Sequence, residues 1–514
     1  MYPVSASQPC PEPSLENDAR RMAVWMEKRR YAILCAFTVF FLLGAALQAR
    51  SKPFWYDEVI TVVVAGSPDL PTTWKAGLAC DGAPPLSYLM AHLCARWFGE
   101  GEVSLRIPAI VGFWVFGLCL FRFTLRRVGI YYALTALLLP TVLETYYYSL
   151  EARPYGPELA FCGLALVAWQ AATERSRRFL ALPGLALSLA AALFCHYYAL
   201  LLYLPLAGGE AVRLYQNRRI DWGVGAALAA GGLPILWLTS NIAGVVKGVV
   251  HTWAPPYPGQ VIEFWEFGLQ HASGFLVLLL ALLALSIIQA RQKTDAAEGA
   301  VPALLDHELA AGVLFLAIPL AAVVGALLVT HMFTPRYALI ALAGFSFLAP
   351  MVAAHMFGGR ALPGFLLTVA LTACFGFTSM AIPPTRNPFD GEPELREALQ
   401  QGPVAISDAQ LFLQMWHYAP PPLKSRLLFL VDHEAALKYM GFANMDDALK
   451  QIRLWSSVRV VDYPNFASPG REFLVYQNTL RPGWLISKVV DDGATVEVRK
   501  YAGARALMRV RLKS

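Results

Sequence analysis

About eleven runs of roughly twenty apolar residues leave this chain one broad class of fold, because each run can cross ~30 Å of hydrocarbon at ~1.5 Å per residue. They lie near 31–49, 104–123, 130–149, 154–172, 179–195, 198–214, 222–240, 273–290, 309–330, 337–357 and 361–381, and the crowded stretch 179–214 can be divided in more than one way. The expected fold class is a polytopic α-helical membrane protein. Composition agrees, since 57% hydrophobic against 15% charged residues in a chain of 514 does not suit a water-soluble protein.

Charge in the connections sets the expected orientation. Arg20, Arg21, Lys28, Arg29 and Arg30 precede the first run, and Arg126, Arg127, Arg175, Arg177, Arg178, Arg213, Arg218, Arg219, Arg291, Lys293 and Arg360 fall in every second connection after it. The intervening connections carry a thinner set: Lys52, Lys75, Arg96, Arg106, Arg153, Lys247 and Arg336. This places the N-terminus inside and everything after about 382 outside. No apolar segment with a small-residue cleavage pattern precedes the first run, which is therefore expected to stay as a signal anchor. The net charge of +6 is mostly the inside bias and gives no reason to expect nucleic acid as a partner.

The chain divides into a membrane module over 1–381, with a first outside loop at 50–103, and a C-terminal segment over 382–514 that becomes polar after Pro383 and Pro384. That segment is long enough for a small domain outside the membrane. A strand at 403–407, a helix at 409–418 capped by Asp408, a strand at 426–431, a helix at 445–455, a strand at 472–476 and a closing pair at 495–499 and 506–512 predict an open α/β layer. It carries no GxGxxG turn to suggest a nucleotide. In the first loop a short helix is expected from about Asp57 to Ala65, and Pro84 and Pro85 suit the start of another. Leu86, Leu89, Met90, Leu93 and Trp97 then share one helical face, as an interfacial helix would have them. Most of the eight cysteines sit in apolar runs, and only Cys80 and Cys94 share an outside loop, where free thiols and a disulfide both stay open.

The residues able to carry chemistry lie on the outside. Asp57 and Glu58 follow Phe54-Trp55-Tyr56, directly after the first run. On a helix their side chains diverge by about 100°, so only one can address a given reacting atom. Against a catalytic role stands a helix cap with a first-turn acid favoured by the helix dipole. Arg153 and Arg336 occupy outside ends of apolar runs, at the level of lipid headgroups, where a guanidinium can clamp a phosphate or merely anchor the helix. Arg106 reads as an anchor or as a partner of Glu102. Tyr146, Tyr147, Tyr148, Tyr155, Tyr197 and Tyr198 read chiefly as an aromatic belt, with sugar stacking open to one or two of them. His196 is read first as a hydrogen-bonded interface residue. His251, Trp253, Glu263, Glu266 and His271 fill another outside loop in a spacing that matches no zinc pattern.

Several of these loops together resemble a known family. Trp55-Tyr56-Asp57-Glu58, the segment Asp81-Gly82-Ala83-Pro84-Pro85-Leu86, Glu102-Val103-Ser104-Leu105-Arg106-Ile107-Pro108, Tyr148-Ser149-Leu150-Glu151-Ala152-Arg153-Pro154-Tyr155 and Thr334-Pro335-Arg336-Tyr337 resemble, in this order, the bacterial branch of the protein O-mannosyltransferases. That branch includes the aminoarabinose transferases of lipid A. The resemblance implies a membrane glycosyltransferase of the C fold class that takes a sugar from a polyprenyl-phosphate donor, here undecaprenyl, at the outer face of a bacterial inner membrane and inverts the anomeric centre. It implies Asp57 as catalytic base, with Glu58 beside it. Arg153 and Arg336 then bind the donor phosphate, and Trp55, Tyr56, Asp81, Tyr148, Tyr155 and His196 are candidates for substrate contact. Many relatives have His before the two prolines where this chain has Ala83, which leaves a His-dependent metal or acceptor contact there without its residue. No metal ligand or cofactor is assigned, and dependence on a divalent metal stays open.

The same chemistry follows without the family. Transfer to a hydroxyl needs a base in reach of the nucleophile and cationic donors for the departing phosphate. The acceptor, whether lipid, envelope glycan or protein, is not written in the residues. A transporter or flippase of a lipid-linked sugar is the competing reading, but such proteins commonly show related halves and mid-membrane charges, and no internal repeat is visible here. A sensor or assembly protein would leave Asp57 without a reason.

Overall fold

Long apolar runs must satisfy their backbone internally, and the chain does so as helices. The computed structural model describes residues 15–175, 177–238, 252–292 and 304–513. Lys247, His251, Lys293 and the loop 295–303 lie outside the described residues. Every one of the apolar runs is mainly helical over its described part. Arg30–Ser51, Glu102–Leu125, Arg178–Cys195 and Ala361–Met380 are each long and apolar enough to cross a membrane. Two bent pairs, Gln260–Leu269 with Ser273–Ser286 at 89° and Asp306–Leu316 with Ile318–Thr330 at 47°, bring the number among the described residues to six. The run read as one span at 130–149 is broken. Its helix Ile130–Leu138 passes into a 3-10 turn, Leu139–Val142, holding Pro140, and a separate helix Glu144–Ser149 follows.

Connections that alternate along the chain gather at two opposite ends. At one end Arg126 and Arg127 meet Glu174, Arg127 also grips Glu308, Arg178 meets Asp221, and Glu16 accepts the N–H groups of Ala361 and Leu362 at 2.9 Å. At the other, Lys52 meets Glu151 at 3.0 Å, Tyr197 donates to the Gly82 carbonyl at 2.9 Å, and the Phe333 N–H donates to the Ala254 carbonyl at 3.1 Å. Between the two ends the closest helix crossing joins Glu102–Leu125 to Tyr155–Thr173. A Cβ at Gly156 would stand 2.4 Å from the Ala109 carbonyl oxygen, and one at Gly112 would stand 2.4 Å from the Gly156 carbonyl carbon. Small residues here let the two backbones touch, as membrane helices often require.

The first long loop, 50–103, is itself helical, with Tyr56–Ala65, Leu70–Asp81 and Leu86–Phe98. Asp69 caps the middle helix, its side chain accepting the Thr72 N–H at 2.8 Å. In the third helix Tyr88, Ala91, His92 and Ala95 are buried, whereas Leu93 and Trp97 are exposed on the face that the spacing assigned to the interface. Cys80 and Cys94 are both free thiols.

The C-terminal segment forms a six-stranded sheet of β1 (Val404–Ile406), β2 (Leu427–Val431), β3 (Val460–Asp462), β4 (Glu472–Asn478), β5 (Thr495–Ala502) and β6 (Arg505–Arg511) in the order β3-β2-β1-β4-β6-β5. The β1 pairings with β2 and β4 and the β2 pairing with β3 are parallel, and β6 runs antiparallel to β4 and β5. Strands covered on both faces need continuous apolar runs, which is why β2 reads Leu-Leu-Phe-Leu-Val. Leu427, Phe429 and Val431 join one core with Val59, Ile60 and Val63 of the first-loop helix, and Leu428 and Leu430 join another with Ala435, Trp484 and Val489. The layer therefore shares its core with the loop that carries Asp57. Leu411, Met415 and Trp416 of helix Ala409–Tyr418 belong to that shared core.

Candidate active site

Helix Tyr56–Ala65 begins from an extended Trp55, so Trp55 is the capping position and Asp57 and Glu58 stand second and third. Glu58 reaches back to accept the Trp55 N–H at 3.4 Å, while the Asp57 carboxylate makes no cap bond. The two acids then separate as a helix demands.

Glu58 points inward and has no exposed surface. Arg106 Nε and Nη2 each donate to one of its oxygens at 2.7 Å, and the Ala152 N–H donates to Oε1 at 2.7 Å. The remaining Arg106 donors reach the carbonyls of Ala49 at 2.7 Å, Lys52 at 2.5 Å and Pro53 at 3.2 Å. This pairing corrects the expectation for Arg106, which is fully buried against Glu58 and neither anchors at an interface nor meets Glu102. It also leaves Glu58, expected beside the reacting acid, with no free oxygen to offer a substrate.

Asp57 turns the other way, toward two guanidinium groups. Its Oδ2 is 3.2 Å from Arg153 Nη2 and 3.4 Å from Arg336 Nη2. Arg153 Nη1 is 3.7 Å from Asp81 Oδ2, which accepts the Tyr88 hydroxyl at 2.5 Å. Arg153 comes from the loop before helix Tyr155–Thr173, and Arg336 from the 3-10 turn Pro335–Ala338. Register between Arg153 and Asp57 comes from Ala152, whose N–H is held by Glu58 and whose carbonyl accepts the Thr61 hydroxyl at 2.8 Å.

The electrostatics are those of an anion site. Burial opposes the charge on Arg153, yet Asp57 and Asp81 hold its guanidinium well above the ordinary arginine range. Arg336 is raised as well, against its burial, with Tyr155 and Asp57 as the groups that favour its charge. Burial first, and then Arg153 and Arg336, push His196 down to about 3, so its ring is neutral at pH 7. Around these groups several buried polar atoms have no hydrogen-bond partner: Asp57 Oδ2, Arg153 Nε and Nη1, Arg336 Nε, Trp55 Nε1, Tyr155 Oη and His196 Nδ1. Buried polar atoms are normally paired. Such a concentration of donors and acceptors suits a polar ligand carrying negative charge.

Aromatic rings wall the cations in. Arg336 stands 5.7 Å from the Trp55 ring centroid and 5.6 Å from that of Trp253, and Arg153 is 5.9 Å from Tyr155. Tyr155 lies 4.9 Å from Tyr148 and 5.5 Å from His196, which lies 5.2 Å from Tyr337. Of the expected substrate contacts, Trp55, Asp81, Tyr148, Tyr155 and His196 are thus brought around the pair of arginines. Tyr56 is not, because its ring belongs to the core shared with the C-terminal layer. Glu263 is taken by Tyr257, and His271 lies 3.8 Å from Glu144. Among the described residues no group of three His, Cys, Asp or Glu side chains is placed to hold a metal ion. Tyr88 and Tyr337 gain importance that the sequence reading did not give them, and Trp253, named there only with its loop, stands beside Arg336. Only Tyr337 carried a signal, as the residue after Arg336 in Thr-Pro-Arg-Tyr.

Residues 82–237 match the family model described as dolichyl-phosphate-mannose-protein mannosyltransferase. Among solved structures, ArnT from Cupriavidus metallidurans matches in its apo state with a TM-score of 0.53 at 12% identity, covering 94% of this chain and 98% of that one. The chain is similar to that family over residues 82–237 and to ArnT in fold. The same ArnT bound to undecaprenyl phosphate matches with a TM-score of 0.53 at 12% identity, over 93% of this chain and 97% of that one. No curated protein matches the sequence. This chain thus shares with ArnT a fold that extends through the C-terminal layer as well as the helices.

Proposed function

We propose that this protein is a membrane glycosyltransferase that moves a sugar from a polyprenyl-phosphate donor to an acceptor hydroxyl, with Asp57 as base and Arg153 and Arg336 as the phosphate clamp. The observation that carries the reading is the meeting of one carboxylate with two guanidinium groups of which Arg153 Nε and Nη1 and Arg336 Nε are buried without a hydrogen-bond partner. A phosphate placed there accepts from Arg153 Nε and Nη1 and from Arg336 Nε. Its charge, increasing as the bond between the sugar C1 and the phosphate oxygen breaks, is then met by two fixed cations in a protected site, where such donors act most strongly. Asp57, on the same cations, removes the proton as the acceptor oxygen attacks C1 from the face opposite the phosphate, and the configuration at C1 inverts. The neutral His196 and the surrounding tyrosines offer hydrogen bonds and ring faces to the sugar rather than further charge.

Support for the donor class comes from the ArnT structure whose bound lipid is undecaprenyl phosphate and from the mannosyltransferase family match. The acceptor class, lipid, envelope glycan or protein, stays open on these residues, and the bacterial inner membrane with the C-terminal layer outside is the location that fits the loop charges. The test is sugar transfer from an undecaprenyl-phosphate-linked sugar by the purified protein in nanodiscs. Transfer that falls about 10²–10⁴-fold in Asp57→Asn, with donor binding retained, is the expected result. Near-normal transfer by a folded Asp57→Asn protein removes Asp57 from the chemistry.

A further inference from the structure

Beyond the shared apolar core, the C-terminal layer holds Phe54, in the loop of the acid, by both backbone groups. The Phe54 N–H donates to the Tyr418 oxygen at 2.7 Å, and the Phe54 carbonyl accepts from Gln414 Nε2 at 2.9 Å. Tyr418 passes its own proton to Glu102 Oε1 at 2.9 Å, at the first residue of helix Glu102–Leu125, and the His417 ring meets the Phe54 ring at 5.5 Å. One turn further along that helix is Arg106, which holds the Lys52 and Pro53 carbonyls and Glu58. From the Lys52 carbonyl to the Trp55 carbonyl, every backbone donor and acceptor is bound. The Trp55 N–H goes to Glu58, and its carbonyl accepts the Val59 N–H at 2.9 Å. An extended tetrapeptide with these backbone groups occupied has one position, and Asp57 is the second residue of the helix that it starts.

We infer that Gln414 and Tyr418 are positioning residues for Asp57, so that the C-terminal layer contributes to the transfer step by fixing the approach of the acid to Arg153 and Arg336. The idea rests on the reading of Asp57 as the base. It differs from a role for this layer in placing the acceptor, because Gln414 and Tyr418 of helix Ala409–Tyr418 bind the acid's loop. No group of Gln414 or Tyr418 needs to touch a substrate. Misplacement of a reacting group by about an ångström costs up to ~10²-fold in rate.

The experiment uses the full-length protein in nanodiscs and compares Tyr418→Phe and Gln414→Ala in the wild-type and Asp57→Asn backgrounds. Tyr418→Phe removes one oxygen from a ring that otherwise stays, and Gln414→Ala releases only the carbonyl side, so a folding failure in one leaves the other informative. Expected are a fall in kcat of roughly 10- to 100-fold with donor KM within about twofold, and no further fall when either change is added to Asp57→Asn. Full kcat in both variants overturns the inference, as does an equal loss in the two backgrounds, which marks a merely structural role. A raised acceptor KM at unchanged kcat overturns it in favour of the acceptor. If Asp57→Asn alone transfers sugar normally, the reading of the base has failed first.

Discussion

At Asp57, a helix-terminal acid and a catalytic base predict different losses. Removing a helix-end carboxylate costs about 1 kcal/mol of stability and leaves chemistry alone, whereas removing a general base raises the barrier by about 3–5 kcal/mol. The structure already takes the capping role from Asp57, since Trp55 is the capping position. Arg153→Ala and Arg336→Ala are each expected to weaken undecaprenyl-phosphate binding by roughly 1.5–3 kcal/mol, as measured by calorimetry or lipid competition. Glu58→Gln leaves Arg106 buried with an uncompensated charge and is expected to lower stability by about 3–5 kcal/mol, read as early thermal unfolding. These sites were unequally legible. Asp57, Arg153 and Arg336 stood out because each charge lies beside an apolar run. The Glu58 pairing with Arg106 did not, because 48 residues separate the partners and no local spacing records the contact.

Among elements, the crossing of Glu102–Leu125 with Tyr155–Thr173 decides where Arg153 stands relative to Arg106 and hence to Glu58. Gly156→Ala puts a Cβ against the Ala109 backbone and is expected to cost about 1–3 kcal/mol by overpacking, with transfer falling as Arg153 shifts. Size-exclusion profiles and melting temperature against wild type check it. Within the C-terminal layer, burial, opposed by bonds from the Asp432 N–H and Trp484, pushes Asp446 up to about 7. Its unfolded value is near the ordinary ~3.9. The stability it contributes is therefore full below about pH 4 and is lost as pH rises through about 7. Asp446→Asn keeps the acceptor oxygen and should stabilise by roughly 2–4 kcal/mol at pH 8 with no gain at pH 4, in thermal melts at the two values. Strands β1, β2 and β4 were legible as short apolar runs. β3 was not, since three residues, Val460–Asp462, carry no period, and the helices His433–Met440 and Trp484–Asp491 went unread.

For the whole molecule, alternating basic loops predict which end faces outward, and the structure gathers those loops at two opposite ends. Single cysteines at exposed Trp97 and Leu454 should react with an impermeant reagent in intact cells, and one at exposed Asn217 should not. The reverse pattern overturns the orientation. What the sequence could not convey is that the C-terminal layer and the first loop form one core, because cohesion between segments more than 300 residues apart leaves no trace in composition. That core, the buried Glu58 pairing and the Gly156 crossing all converge on one geometry, a carboxylate beside two arginines at one end of the bundle. A cryo-electron structure of the protein in nanodiscs with undecaprenyl phosphate tests this geometry most directly. The account predicts the phosphate between Arg153 and Arg336, within hydrogen-bond reach of both and beside Asp57, and a phosphate bound elsewhere, with these two arginines still turned to Asp57 alone, would contradict it.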